Sequence, residues 1–246
     1  MTLFRADLHI HTVLSPCGDL DMSPVKIVEA AARKGLDIIG ITDHNSTRHC
    51  SILSKIARKR GIFVMQGAEI TTREEVHCLA FFEDDESLLR LQAFLDENLP
   101  DIKNDPVRFG YQVQVDEDEL IVYEEEKLLI NAIAKSLDEV QAFVCNHGGV
   151  FIPAHIDRKK NSVFSQLGFL PPDLKVDALE VSRRTSISEF RSLHPELDNY
   201  KIICSSDAHY LEDIGAGSTF FKMGKISFQE IRMTLAGING REIIEG

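Results

Sequence analysis

The chain has 246 residues, 43% of them hydrophobic, a length common for a single-domain α/β barrel, and no apolar run is long enough to cross a bilayer. Five cysteines, at 17, 50, 78, 145 and 204 with no CxxC pair, argue against a disulfide framework and a cysteine zinc knuckle and predict reduced, mostly buried thiols. The formal net charge of −12 disfavours a long nucleic acid track, which needs clustered Lys and Arg; three bound dications would leave about −6, yet would dominate the field of a small site.

Residues 4–11 read as a strand. Asp7 and His9 make this N-terminal stretch too polar for a signal peptide, so a cytoplasmic protein without a membrane partner is expected. Ser23-Pro24 opens a helix, with the hydroxyl as N-cap and proline at the first helical position. Ile27, Val28, Ala31 and Ala32 repeat at helical spacing, and Gly35 stops the run. Residues 37–42 form a buried strand, 47–59 a helix closed by Gly61, 62–71 and 77–82 two more strands, and 86–97 a helix. Residues 100–127 are polar and acidic. Alternation over 111–115 and 120–123 predicts a small hairpin inserted between barrel units, with a mobile acidic loop as the alternative. Ser136-Leu-Asp-Glu139 is a capping box opening a helix that ends at Gly148. Strands follow at 150–155, 176–181 and 201–205, and a last helix near 227–237 opens on a second box, Ser227-Phe-Gln-Glu230. Repeated βα units without a Gly-rich phosphate loop predict a parallel barrel, one domain over residues 1–246, with its chemistry at the C-terminal ends of the strands.

Potential ligands recur at those ends. His9 and His11 stand two apart at the end of the first strand, where period two puts them and Asp7 on one face. Asp19 lies in the loop that follows. His44 closes the second strand, Glu69 the third, and His77 opens the next. His155 closes another, and Asp207 and His209 close the last. Each pair alone is weak; the conjunction predicts a metal centre. The donors are nitrogen and oxygen, which suits Zn, Mn or Fe and disfavours a thiolate site. They are too many for one tetrahedral ion and can hold two or three divalent ions.

The segments DLHIHT, ITDH, GAE with a downstream histidine, PAH and SSDAH together resemble the PHP (polymerase and histidinol phosphatase) superfamily, in order and over most of the chain, with residues 100–135 the least matched. The resemblance implies a distorted (βα)7 TIM-like barrel and metal-dependent phosphoesterase chemistry. It also implies a partition of ligands. One ion would take His9, His11, Glu69 and Asp207; a second Glu69, His77 and His155, with Glu69 bridging; a third Asp19, His44 and His209. Ile156 stands where a proline is usual in that family. Of the remaining histidines, His49 reads as a helix-surface residue, with a place facing the pocket from the start of its helix as the alternative, His147 as a favourable helix C-terminal residue, and His194 as a surface residue.

The expected reaction is hydrolysis of a phosphate ester by metal-bound hydroxide. Asp207 or His209 would move the proton. Arg158 and Arg183, just past rim strands, are the candidates for holding phosphate, because guanidinium grips it in two-pronged fashion; Lys159 and Lys160 read as a solvated pair. The substrate class is a small phosphorylated metabolite or nucleotide. The alternatives are an exonuclease-like or oligonucleotide phosphodiesterase, and a regulatory module that holds metal without turnover.

Overall fold

The computed structural model describes residues 1–244. In chain order the elements are β1 (Thr2–Ile10), α1 (Pro24–Arg33), β2 (Ile38–Ile41), α2 (Cys50–Arg58), β3 (Phe63–Thr71), β4 (His77–Phe82), α3 (Asp85–Asn98), α4 (Pro106–Phe109), β5 (Val113–Val115), β6 (Ile121–Glu124), α5 (Leu137–Asn146), β7 (Val150–Pro153), α6 (Val163–Leu167), β8 (Leu179–Ser182), α7 (Ile187–Leu193), β9 (Ile202–Ser205), β10 (Thr219–Met223), α8 (Phe228–Leu235) and β11 (Glu242–Ile244).

The main sheet has the order β11-β10-β1-β2-β3-β4-β7, and β8 and β9 pair beside it. Backbone bonds bring the two sheets round on each other. Ala208 donates to His9 O at 3.2 Å and His11 to Ala208 O at 3.0 Å, while Asp177 donates to Phe151 O and Ile156 to Glu180 O. The staves β1, β2, β3, β4, β7, β8 and β9 thus form a distorted seven-strand barrel.

The barrel is not all-parallel. β4 runs antiparallel to both β3 and β7, and β10 antiparallel to β1. A parallel return needs a crossover of about a dozen residues; the short turn from Thr71 to His77, with Glu75 at φ 61, allows only a hairpin. The reversal has a functional consequence. His77 pairs with Thr71, so the start of β4 lies at the same rim as the end of β3.

Alternate side chains of the staves fill two cores. Leu8, Ile38, Met65, Leu79, Phe81, Ile152 and Ile203 pack with Phe228 and Ile231 of α8, and Ile39, Ile41, Ala68, Cys78 and Phe151 pack with the apolar faces of α1, α2, α3 and α5. Gly40 lets β1 and β2 approach: a Cβ there would lie 2.2 Å from Leu8 O.

The Ser23-Pro24 start is present, with the Ser23 side chain accepting from Lys26 N, and α5 carries its complete capping box. The second box is only half made. Ser227 accepts from Glu230 N, but the Glu230 carboxylate turns to Arg241, at 2.6 and 2.8 Å, and to Gly224 N. A charge-assisted two-point pair outcompetes one return bond to the cap. The hairpin expected in residues 100–127 is β5 paired with β6. β10 was not anticipated, although Thr219, Phe221 and Met223 are buried alternately along it. Among the described residues no helix is long and apolar enough to cross a membrane.

Candidate metal centre

Glu69, at the rim end of β3 and 1% exposed, is the hub. Its Oε1 lies 2.9 Å from His77 Nδ1, 3.0 Å from His155 Nε2 and 3.4 Å from His9 Nε2. Its Oε2 lies 3.1 Å from His44 Nδ1 and 3.4 Å from His11 Nε2. Asp207 Oδ1 closes the group, 3.4 Å from His9 Nε2 and 3.2 Å from His11 Nε2. Two of these residues sit on unusual backbone, His155 at φ 30 and Asp207 at φ 49. Left-handed conformations cost a non-glycine residue on the order of 1–3 kcal/mol and collect at functional sites.

The buried polar residues around the hub fix how each ring presents itself. Glu180 accepts from His9 Nδ1 at 2.9 Å. Ser15 donates its one hydrogen to Asp43 at 2.7 Å and so accepts from His11 Nδ1 at 3.0 Å. Both histidines therefore turn bare Nε2 lone pairs inward, and these face each other at 3.2 Å. Two lone pairs so placed repel unless positive charge sits with them. A tetrahedral ion with bonds of about 2.1 Å has donor–donor edges of about 3.4 Å, close to the 3.2–3.4 Å by which the Nε2 atoms of His9 and His11 stand from each other and from oxygens of Glu69 and Asp207. The donors fit divalent metal.

The electrostatics point the same way. Burial opposes charge on His9, but Glu180, Asp207 and Glu69 together hold its pKa well above the ordinary value, so this position favours positive charge. Burial would raise Glu69, yet His77, His9 and His44 hold it well below the usual carboxylate range. Asp207 is likewise lowered by His9 and His11 against its burial. Burial and the neighbouring His11 push His209 down to about 4.

The structure brings together His9, His11, His44, Glu69, His77, His155, Asp207 and His209, but not Asp19. The Asp19 carboxylate accepts from Asp21 N at 2.9 Å in a local turn. The Asp19 backbone N donates to His209 O at 2.9 Å, and beside it His11, Cys17, His44 and His209 offer potential ligand atoms within 4.8 Å of one another. Asp7 also leaves the face of His9 and His11. The pairing of β1 with β2 shifts register between Asp7 and Ile10, and Asp7 accepts from Ser206 N and Gly215 N, with burial raising its pKa to about 6. It anchors the loop that carries Asp207.

His49 is not on the surface. It is fully buried and donates from Nδ1 to Thr12 Oγ1 at 2.5 Å, while its Nε2 accepts from Val115 N at 3.0 Å. His147 caps α5 as expected, its Nδ1 on Phe143 O, and His194 is half-buried against Phe164 and Phe190.

Of the cations, Arg158 reaches the centre, its Nη1 2.5 Å from Asp207 Oδ2. Arg183 instead pairs with Asp213 at 2.6 Å. A cleft of about 510 Å³ opens beside the hub, lined by His77, His155, Arg158, Lys159, Lys160, Asn161 and Arg184. Lys159 and Lys160 are exposed, as expected of a solvated pair, and with Arg158 and Arg184 they line this cleft. Glu180, Asp43, Ser15 and Cys17 were missed as site residues. For Glu180 the signal was a charged residue in a buried strand; for Cys17 it was an unpaired thiol in the loop after a ligand strand.

A distorted seven-strand barrel bearing a histidine–carboxylate cluster at one rim defines the class. Residues 7–164 match the PHP domain, and the chain belongs to that family. It is similar to the uncharacterized protein MJ1587 of Methanocaldococcus jannaschii, 37% identical over 78 residues covering 28% of this chain and 46% of that protein. It is similar to YqxK of Bacillus subtilis, also uncharacterized, at 24% identity over 99% of this chain and 65% of that protein. Its fold is that of the lesion-specific endonuclease PfuEndoQ from Pyrococcus furiosus, with TM-score 0.75 and 19% identity over 98% of this chain and 58% of that one. It is also close to a Bifidobacterium adolescentis protein assigned by inference as a metal-dependent phosphoesterase, with TM-score 0.58 and 24% identity over 83% of this chain and 87% of that one. The chain spans less than two thirds of both curated relatives and of the endonuclease.

Proposed function

We propose that this chain hydrolyses a phosphate ester at the Glu69 centre. The observation that carries the reading is the convergence of five histidines and Asp207 on or beside one buried carboxylate, next to a cleft lined by four cationic side chains. His9, His11, Glu69 and Asp207 would hold one divalent ion, and Glu69 would share a second with His77 and His155. A third would lie by His44 and His209. When bound, such ions, Zn, Mn or Fe, supply an ionised water near neutral pH and neutralise phosphoryl oxygens.

The protein groups do the rest. Arg158, Lys159, Lys160 and Arg184 receive the phosphate from solvent, and Arg158 orients it against Asp207. Asp207, 3.2 and 3.4 Å from the Nε2 atoms of His11 and His9, and His209, two residues on, are the candidates for moving the proton. The cleft suits a small phosphorylated metabolite or a nucleotide.

Nucleic acid is the second reading. Four cations along one cleft match a phosphodiester backbone as well as a single phosphate, and endonuclease Q, which shares the fold, is known in complex with a 27-mer duplex bearing an abasic lesion at its active site. One experiment tests both: metal-loaded protein is assayed on a panel of phosphomonoesters, phosphodiesters, short single strands and an abasic duplex, with Mn and with Zn. Turnover that chelation abolishes and metal restores is expected. No turnover across the panel, in protein shown to hold metal, would leave a regulatory metal-binding module.

A further inference from the structure

Cys17 stands out because the proposed reaction has no use for it as a thiol. It lies in the loop after β1, exposed at the rim, and its Sγ is 3.0 Å from His209 Nε2. His209 Nδ1 donates to Asp207 O at 2.9 Å. That bond fixes the tautomer, so the nitrogen facing the sulfur is a bare lone pair, the arrangement by which ligating histidines are held toward a metal. His44 is 3% exposed, and its Nδ1, which makes no hydrogen bond, lies 3.1 Å from Glu69 Oε2, between the hub and this outer edge. His11 stacks on His209 with ring centroids 4.3 Å apart and lies 4.6 Å from the ring of His44.

The other cysteines make a useful contrast. Cys50 and Cys78 are buried with their thiols on backbone carbonyls, and Cys145 accepts from Gln141. Cys17 alone, among the described residues, joins a group of imidazoles that could hold an ion.

The geometry points to a thiolate-ligated metal ion at the outer edge of the centre, held by Cys17, His44 and His209, with a coordination position left for water or a phosphoryl oxygen. This rests on the metal-centre reading above. His11 keeps its Nε2 for the neighbouring ion, since its other nitrogen is engaged by Ser15. One sulfur and two imidazoles form a softer set than the rest of the centre, favouring Zn or Fe over Mn and Mg. Loading turns the thiol into a thiolate and releases its proton.

Cobalt reports on this directly, because a thiolate bound to Co(II) gives a near-ultraviolet charge-transfer band that imidazoles and carboxylates do not. Full-length protein is stripped, reloaded with Co(II), and measured for metal content and absorption beside Cys17→Ser and Cys17→Ala. The expected result is a thiolate band in the wild type, its loss in both variants, and a fall of about one metal equivalent in Cys17→Ala. More than one equivalent of cobalt in the wild type without a thiolate band, or a band that survives Cys17→Ser, overturns the Cys17 assignment and leaves the Glu69 centre standing. Wild-type protein that takes up no cobalt overturns both.

Discussion

At the scale of single residues, the proposed centre separates groups that would meet metal from groups that would aim them. Asp207 is proposed as the first kind. Asp207→Asn keeps its size and loses the charge that His9, His11 and Arg158 all face. A fall in kcat of about 10²-fold or more is expected with the far-ultraviolet spectrum unchanged; activity within tenfold of wild type would show that Asp207 is no ligand. Glu180 belongs to the second kind. It touches His9 Nδ1 and His155 N, orienting one ring and one strand end. Glu180→Gln should weaken metal affinity by about 10–100-fold at the His9 ion, read by competition with a chromogenic chelator. Unchanged affinity would reduce Glu180 to a strand residue. The rim cluster of histidines and carboxylates was legible in the sequence because its members fall at strand ends in recognisable segments. Glu180 was not, because nothing in Leu-Glu-Val says that this strand end faces His9. The approach of Cys17 to His209 was not legible either, because the loop from Thr12 to Met22 folds through tight turns, Gly18 N to Ser15 O and Met22 N to Asp19 O, which no periodicity predicts.

At the scale of elements, the β5–β6 hairpin is wired to the centre and is no loose appendage. Val115 N donates to His49, His49 to Thr12, and Thr12 to Asp43, which also holds Ser15 against His11. Burial lowers the His49 pKa, so the ring is neutral, as its two bonds require. His49→Phe keeps the volume and removes the acceptor of Val115 N, while Thr12 keeps its bond to Asp43. A loss of about 1–3 kcal/mol is expected in urea unfolding, with faster amide exchange at Val115. Unchanged exchange there would mean that the hairpin is held by Val13 and Val113 packing alone. The hairpin itself was readable from alternation. Its attachment was not, because His49 sits just before α2, where sequence gives no sign of what comes to cover it. The antiparallel β4 was hidden for a related reason: periodicity reports which faces are buried and says nothing of direction, and only the length of the 71–77 connection carried that information.

At the scale of the whole molecule, the barrel brings buried carboxylates and imidazoles together where only added positive charge balances them. Glu69 and Asp207 have folded-state pKa values below their ordinary 4.5 and 3.8. Their contribution to stability is present above those values and is lost as pH falls through the lowered ones. His9 has the opposite sign. Raised above its ordinary 6.5, it stabilises metal-free protein fully below that value, and the gain is lost as pH rises through the raised pKa. A divalent ion replaces that proton and keeps its place at alkaline pH, where ligands need no deprotonation. The loaded protein should therefore melt above the chelated one across neutral and alkaline pH, and the gap should widen from about pH 6 to about pH 9. Free metal at a hundred times its dissociation constant would add about 2.7 kcal/mol. Calorimetry of loaded and chelated protein across that range checks it. A gap that is constant or shrinks with pH would mean that protons and metal do not compete for the Nε2 of His9, and that the rim cluster is a hydrogen-bonded structural knot.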